Sequence, residues 1–323
     1  MPLTLRRGTV TAVVERHPGL VRLEVDGLPC VAYPELTGPV EPGDDVVVNV
    51  QARELALGSG GFDVLHANLT RGLGLPPADG AHVMKLPYTP LQHAVRHVEE
   101  DGPLAETLDG MPVVCCSLHS QVLPALAALG EVRVVYVQVA GGALPVDLSD
   151  AVRAAGVTRV AVGACFGGDA AAVTVASALA WAAARGFDAA VCSIGPGIVG
   201  TGSALGHGGL AAAAAATAAA ALEGEAILAA RVSDSDLRER HRGVSHHTIA
   251  AARLCRGAAT IAWPAGRAEP EELRGVLEVV DASGWREACR ALPLSHMGRG
   301  ADDDPAFFEA AYAAGVVARR RRG

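Results

Sequence analysis

The sequence predicts an α/β protein: a small N-terminal antiparallel β domain followed by a doubly wound, mostly parallel sheet. Three observations predict it. From residue 111 onward, short β-branched runs alternate with Ala-rich stretches of helical length, the pattern of a sheet covered on both faces. Residues 1–57 instead alternate apolar and polar side chains with period two, between turn signals. The length, 323 residues, exceeds the roughly 100–200 usual for one domain, and a chain that is 50% hydrophobic and 19% charged is globular rather than disordered.

In chain order, Val10, Ala12 and Val14, then Val21, Leu23 and Val25, then Val46, Val48 and Val50 mark strands of a barrel or sandwich spanning 1–57. His17-Pro18-Gly19, Asp26-Gly27 and Pro42-Gly43-Asp44 supply the turns between them. Residues 58–110 form a Gly/Pro-rich connector, expected to lie over the active edge of the sheet, with a short helix over 90–100 begun by Pro90. The α/β domain, 111–323, carries strands over 113–117, 132–139, 157–163, 189–194, 226–232, 258–263 and 277–281. Helices fit over 121–129, 149–155, 170–185, 209–222 and 246–255, with a further Pro-started helix after 302–304. Aromatic residues are only 4%, so Val, Leu and Ala must build the core.

Composition excludes several classes. A net charge of −8 argues against a nucleic-acid binder, which shows a basic face; the terminal arginines 319–322 read as a solvated tail. The longest uncharged stretch, 189–222, is broken by glycines and Pro196, and its helical part falls short of the ~20 residues that span a bilayer. No signal peptide is visible at the start. Seven cysteines, an odd number with no CxxC pair, suit a reduced cytoplasmic protein. Cys115 and Cys116 are expected on opposite faces of one strand, as buried structural thiols more readily than as a catalytic one.

In an open parallel sheet, ligands bind beyond the carboxyl ends of the strands. On this chain glycines, histidines, acids and hydroxyls gather after those ends, whereas the opposite edge carries plain turns such as Ala155-Gly156 and Arg185-Gly186. One such segment holds Gly195, Gly197, Gly200, Thr201, Gly202 and Ser203, with GxGxxG spacing. It reads as a dinucleotide loop, as a general anion cradle or as a mere tight turn. The next strand ends near Asp234, far too late for the acid expected about 20 residues on, and Pro196 removes one donor, so the dinucleotide form is disfavoured.

The stretch 233–248 is denser. Ser245 is a natural N-cap for a helix opening with His246 and His247, whose position at the positive end of the dipole keeps them neutral. Adjacent helical residues differ by about 100°, so one of the two is expected in the cleft. Asp234, Asp236, His241 and that histidine suit a carboxylate–imidazole metal site. With Arg240 and Arg242 they equally suit metal-free acid/base chemistry or anion recognition, or a salt-bridged structural loop. His119 follows the first sheet strand, as a general acid/base or a satisfied loop histidine. Asp169 precedes a helix start, as a ligand contact or an N-cap. The acids at 302–304 suit a helix dipole and nothing more.

Lys85 is the one lysine among 27 basic residues; the other 26 are arginine. A compact ammonium does things a guanidinium does badly, so Lys85 is expected to reach the glycine loop or the histidine cluster, unless it is a chance survivor of compositional drift.

The segments GSGGFD, HVMKLPYTPLQ at 82–92, GPGIVGTGS at 195–203, RHRGVSHHT at 240–248 and SHMGRG near the end resemble a bacterial family of unknown function, over most of the chain from residue 58. That resemblance implies no activity, cofactor or catalytic residue. The residues themselves suggest an enzyme, hydrolase or transferase, acting on a small anionic substrate, phosphorylated ones included, at the carboxyl edge. A non-catalytic binding or regulatory protein and an oligomeric scaffold stand as alternatives. The partner expected is a small anion, not nucleic acid or membrane, with self-association left open; cofactor and metal stay unassigned.

Overall fold

The computed structural model describes residues 3–56, 61–76, 78–255 and 257–322. Gly58, Ser59 and Gly60 of the glycine-rich connector lie outside them. The chain divides into two compact units, Met1–Arg96 and His97–Gly323, so most of the connector belongs with the N-terminal strands.

In the first unit, β1 (Leu5–His17), β2 (Leu20–Val25), β3 (Leu28–Ala32), β4 (Asp45–Asn49) and β5 (Asp63–Asn68) close a barrel in the order β1-β2-β3-β5-β4. Short helices α1 (Pro34–Thr37) and α2 (Gln51–Glu54) connect strands. Val10, Val21, Leu23, Val25, Val46, Val48 and Val50 fill the core, as the period-two pattern requires. Val14 does not: register shifts in the β1–β2 pairing turn it to solvent and leave Val13 against the core. The helix expected over 90–100 is absent. Instead β6 (Val83–Lys85) and β7 (His93–Val95) form a hairpin, followed by one 3-10 turn at Val98–Glu100. The turn between them is tied by Thr89 Oγ1 to Leu86 O at 2.8 Å and Tyr88 N to Gln92 Oε1 at 3.0 Å. These local bonds hold the segment around Pro90 in a turn rather than a helix.

The second unit is built on an eight-stranded, wholly parallel sheet. Its strands are β8 (Pro112–Cys116), β9 (Val134–Val139), β10 (Thr158–Val162), β11 (Ala170–Ala172), β12 (Ala189–Ile194), β13 (Glu225–Ala229), and, past the two-residue ladder of β14 (Val232–Ser233) with β15 (Gly243–Val244), β16 (Thr260–Pro264) and β17 (Leu277–Val280). Their order is β11-β10-β9-β12-β8-β13-β16-β17. The helix expected over 170–185 starts late, because 170–172 adds edge strand β11; Thr174 then caps α5 (Val175–Ala184) by accepting from Ser177 N.

Helices cover both faces. On one lie α5, α6 (Ala211–Ala221) and α7 (His246–Leu254); on the other α3 (Val122–Leu129), α4 (Asp150–Ala154), α8 (Trp285–Ala288) and α9 (Pro305–Arg321). Cys115 packs into the first face and Cys116 into the second, as alternation along a strand demands. Adjacent strands β8 and β12 thus send the chain to opposite faces, β8 to α3 and β12 to α6. That divergence is the switch point at which α/β sheets hold ligands. Among the described residues no helix is long and apolar enough to cross a membrane.

The terminal arginines are not a free tail. Arg321 ends α9 and pairs with Glu225 at 2.6 Å and with Glu278, while Arg322 meets Asp188 at 3.1 Å. The long helix α9 crosses α3 at Gly315, where a Cβ would stand 2.2 Å from Ala125 O and 2.6 Å from Ala128 Cβ. Only glycine allows that approach. A leucine there should cost about 3 kcal/mol, the upper range for overpacking; alanine should cost less, since its better helix propensity returns about 1 kcal/mol. Urea unfolding measures both, and an unchanged midpoint for Gly315→Leu would contradict the helix spacing.

Candidate functional site

β12 ends at Ile194 and β13 at Ala229, and the segments that follow them meet at the carboxyl edge. The first carries His207, immediately before the 3-10 turn that leads into α6. The second carries Arg231 and runs through Asp236, Arg238 and His241 to α7. Ser245 caps α7 as expected, its Oγ accepting from His247 N at 3.2 Å and lying 2.7 Å from His241 Nδ1.

Four imidazoles come together. The His207 ring stacks on His247 with centroids 3.5 Å apart; His246 lies 4.5 Å from His247 and 5.6 Å from His207, and His241 stands 4.8 Å from His246. His246 and His247 therefore both enter the cluster, against the expectation of one. Two side-chain torsions in the first helical turn bring the rings back together from Cβ atoms that diverge. Burial is the first cause holding all four rings below the ordinary histidine value, with neighbouring charges adding to it. His241 falls to about 3. The rings are neutral at physiological pH.

Beside them lies a fully buried guanidinium. Arg231 is 1% exposed; burial, then Arg238, pull its value down to about 10. Its Nη1 donates to His247 Nδ1 at 3.1 Å, and Nη2 reaches Asp236 only at 3.5 Å. Asp236 is shared with Arg238 at 2.8 Å and Arg299 at 3.4 Å. The Arg238 hydrogen bond outweighs burial and holds the Asp236 carboxyl well below the usual range. Arg299 leans also on Asp304, 3.2 Å away, which accepts from Ser233 Oγ at 2.6 Å. The acid at 304 thus ties two loops together, beyond any service to the α9 dipole. His296 stacks face to face on Phe307 with centroids 3.7 Å apart and meets Ser120 Oγ at 3.1 Å through Nδ1. Among the described residues, His207 Nδ1, His246 Nε2, His296 Nε2 and Arg231 Nε are buried without a hydrogen-bond partner. Unsatisfied buried nitrogens are rare in folded proteins.

Other predicted residues stand elsewhere. Asp234 is exposed and paired with Arg267 at 2.8 Å, outside the cluster. Asp169 is no N-cap; it clamps Arg159, itself bound to Asp147. Arg240 and Arg242 are exposed on the loop before α7, with Arg240 near enough to His246 to depress it. His119 sits beyond β8, with Nε2 2.6 Å from Ser149 Oγ and Nδ1 3.3 Å from Ile194 O; burial lowers it to about 4. Lys85 belongs to the N-terminal unit, buried at the end of β6 in register with His93, while the glycine loop and the histidines belong to the second unit. Within that first unit a cleft of about 840 Å³ is lined by Glu35, His66, Gln92 and His93 among others.

The glycine loop answers to packing. A Cβ on Gly195 would meet Ala143 O at 2.1 Å, and one on Gly208 would meet Gly141 O at 1.9 Å, so two loops press backbone to backbone. Thr201 N bonds Gly206 O, Gly208 N bonds Val199 O and Ser203 N bonds Thr201 Oγ1, closing 199–208 on itself. Gly197 supplies a left-handed φ of 70°, and Gly200 packs against His207 Cβ, while Gly202 lies at the exposed tip. Because α6 begins only at Ala211, no α-helix N-terminus follows the loop directly, as a dinucleotide loop requires.

His207, Arg231 and Arg238 were not singled out from the sequence as site residues, and His296 and Arg299 stood out only as part of the polar, glycine-containing segment SHMGRG. A signal existed for His207: it is the one charged or imidazole side chain in 189–222.

An α/β protein with a histidine–arginine cluster at the switch point of its sheet is thus the class that fold and site define. The chain belongs to the DUF3866 family, described as a protein of unknown function, whose model matches residues 29–315. No curated protein matches it.

The buried rings make stability depend on pH. His119 and His296, the latter lowered to about 3, resist protonation in the folded state. Below the ordinary 6.5 the unfolded chain takes up protons at these positions and the folded chain does not. Stability therefore falls as pH drops from about 6.5 toward 4, by up to about 1.4 kcal/mol per unit for each ring. In urea titrations across this range, His296→Asn should show a shallower loss than the parent; equal slopes would contradict a buried neutral ring.

Proposed function

We propose that this cluster is the active site of an enzyme, a hydrolase or transferase, acting on a small anionic substrate. The observation that carries the reading is Arg231. Its buried charge has one distant carboxylate partner, shared with two other arginines, and an Nε with nothing to bind. Such a guanidinium is short of negative charge, and a bidentate carboxylate or phosphate supplies it. A bound anion would offset the arginine charges that help depress the neighbouring imidazoles and so bring them back toward the range in which imidazole transfers protons at physiological pH. His241, held by the Ser245 hydroxyl, and His246, with a free nitrogen, are the candidates for general base and acid. Asp236 positions the arginines, and Arg238 and Arg240 lie toward solvent, where they would draw an anion in.

The test is a thermal-shift screen with inorganic phosphate, pyrophosphate, sugar phosphates, nucleotides and acyl-CoAs. A ligand at a hundred times its dissociation constant adds about 2.7 kcal/mol of stability. The expected outcome is stabilisation by at least one anion class that is lost in Arg231→Met and weakened in Arg238→Gln. Stabilisation that persists in both variants, or none by any anion, would remove the reading.

A further inference from the structure

Three rings of the cluster, His207, His246 and His247, place one nitrogen each within 4.8 Å of one another. They differ in how those nitrogens are held. His207 Nε2 donates to Ala204 O at 3.1 Å, which puts the ring proton there and leaves the Nδ1 lone pair uncommitted; Nδ1 is buried and has no partner. A carbonyl behind the ring is how proteins preset a metal-binding histidine. His246 Nε2 is a second buried nitrogen without a partner. His247 is engaged: Arg231 donates to its Nδ1, so the neutral ring keeps its proton on Nε2 and neither nitrogen is open.

We propose that His207, His246 and His247 form a site for a divalent transition-metal ion, and that the ion and Arg231 compete for His247. Imidazole suits zinc and its neighbours, and three protein ligands leave a coordination position open for water or substrate. An ion about 2.1 Å from each nitrogen sets them roughly 3.4 Å apart, so the rings must draw together as it binds. His207 and His246 are preset for this. His247 joins when Arg231 lets go, because an arginine donor and a cation cannot share one ring lone pair. The inference deepens the proposed active site by naming an ion it would hold, and with His246 ligating that ion the acid/base role falls to His241. It is tested without substrate, so its failure and the failure of the anion-site reading are told apart.

The experiment uses the full-length, untagged protein, stripped with chelator and titrated with Co²⁺ alone, followed by visible absorption, and with Zn²⁺ alone, against a chromophoric chelator. One ion per chain is expected, with cobalt bands of a low-coordinate nitrogen site. His207→Ala and His246→Gln should each weaken binding by more than the roughly tenfold that loss of a partner behind a ligand costs. Arg231→Met should tighten it by about tenfold, since it frees His247 and removes the repulsion of a nearby cation. Circular dichroism checks that each variant is folded. For any that is not, imidazole proton resonances of the parent protein are followed during the zinc titration, and selective shifts of three histidines are expected. Absence of stoichiometric binding, undiminished binding in both histidine variants, weaker binding in Arg231→Met, or zinc shifts confined to other histidines would each overturn the proposal.

Discussion

A guanidinium stripped of water is the constraint around which the carboxyl edge of this sheet is organised. An uncompensated buried charge costs several kcal/mol, so Arg231 imposes a demand on everything near it. Asp236 answers from one side and the His247 ring from another. Those partners are themselves held, Asp236 by Arg238 and Arg299, Arg299 by Asp304, and Asp304 by the Ser233 hydroxyl. Three parts of the chain, the segment 231–238, the start of α7 and the segment 299–304, are thereby fixed in one polar network. The same low-dielectric setting keeps the imidazoles neutral. Stability and chemistry are coupled here, because the groups that satisfy Arg231 are the groups a ligand would recruit.

Close approach of small residues sets the frame for that network. Gly141 against Gly208 and Gly142 against Gly195 bring two loops into direct backbone contact at the switch point. This contact seats His207, whose Nδ1 falls beside the end of β8: a Cβ on Gly209 would stand 3.2 Å from Nδ1 and 2.9 Å from Ser117 O. Every side chain that α6 buries is alanine; on the other face, Gly315 lets α9 lie on α3. An Ala- and Gly-rich composition is thus more than drift. The sheet positions its loops as it does because its covering layers pack at short range.

Legibility varied with the range of the interactions. Most strands and helices of the second unit were readable from periodicity, and so was the Ser245 cap, because both depend on neighbours a few residues away; the 83–95 hairpin and edge strand β11 were not. His241, His246, His247 and Asp236 were picked out by local density and do meet. Asp234 and Asp169 were picked out on the same grounds but serve Arg267 and Arg159, partners 33 and 10 residues distant that spacing alone does not reveal. The glycine loop shows the converse error. GxGxxG spacing records that a backbone comes close to something, and here the something is another backbone.

By itself, then, the sequence determined the class of fold and the edge of the sheet at which polar residues collect. These follow from side-chain periodicity and chain direction in a parallel sheet, both properties of short segments, whereas the neutrality of the histidines comes from burial and nearby arginines rather than from the helix start. Only the tertiary structure decided which histidines share a site, that His207 from one strand end meets His246 and His247 from another, and that a buried arginine lies between them and a contested carboxylate. Those relations join residues dozens of positions apart, and what creates them is burial. Once water is excluded, an arginine, an acid and a ring nitrogen must find partners among whatever the fold has brought within reach.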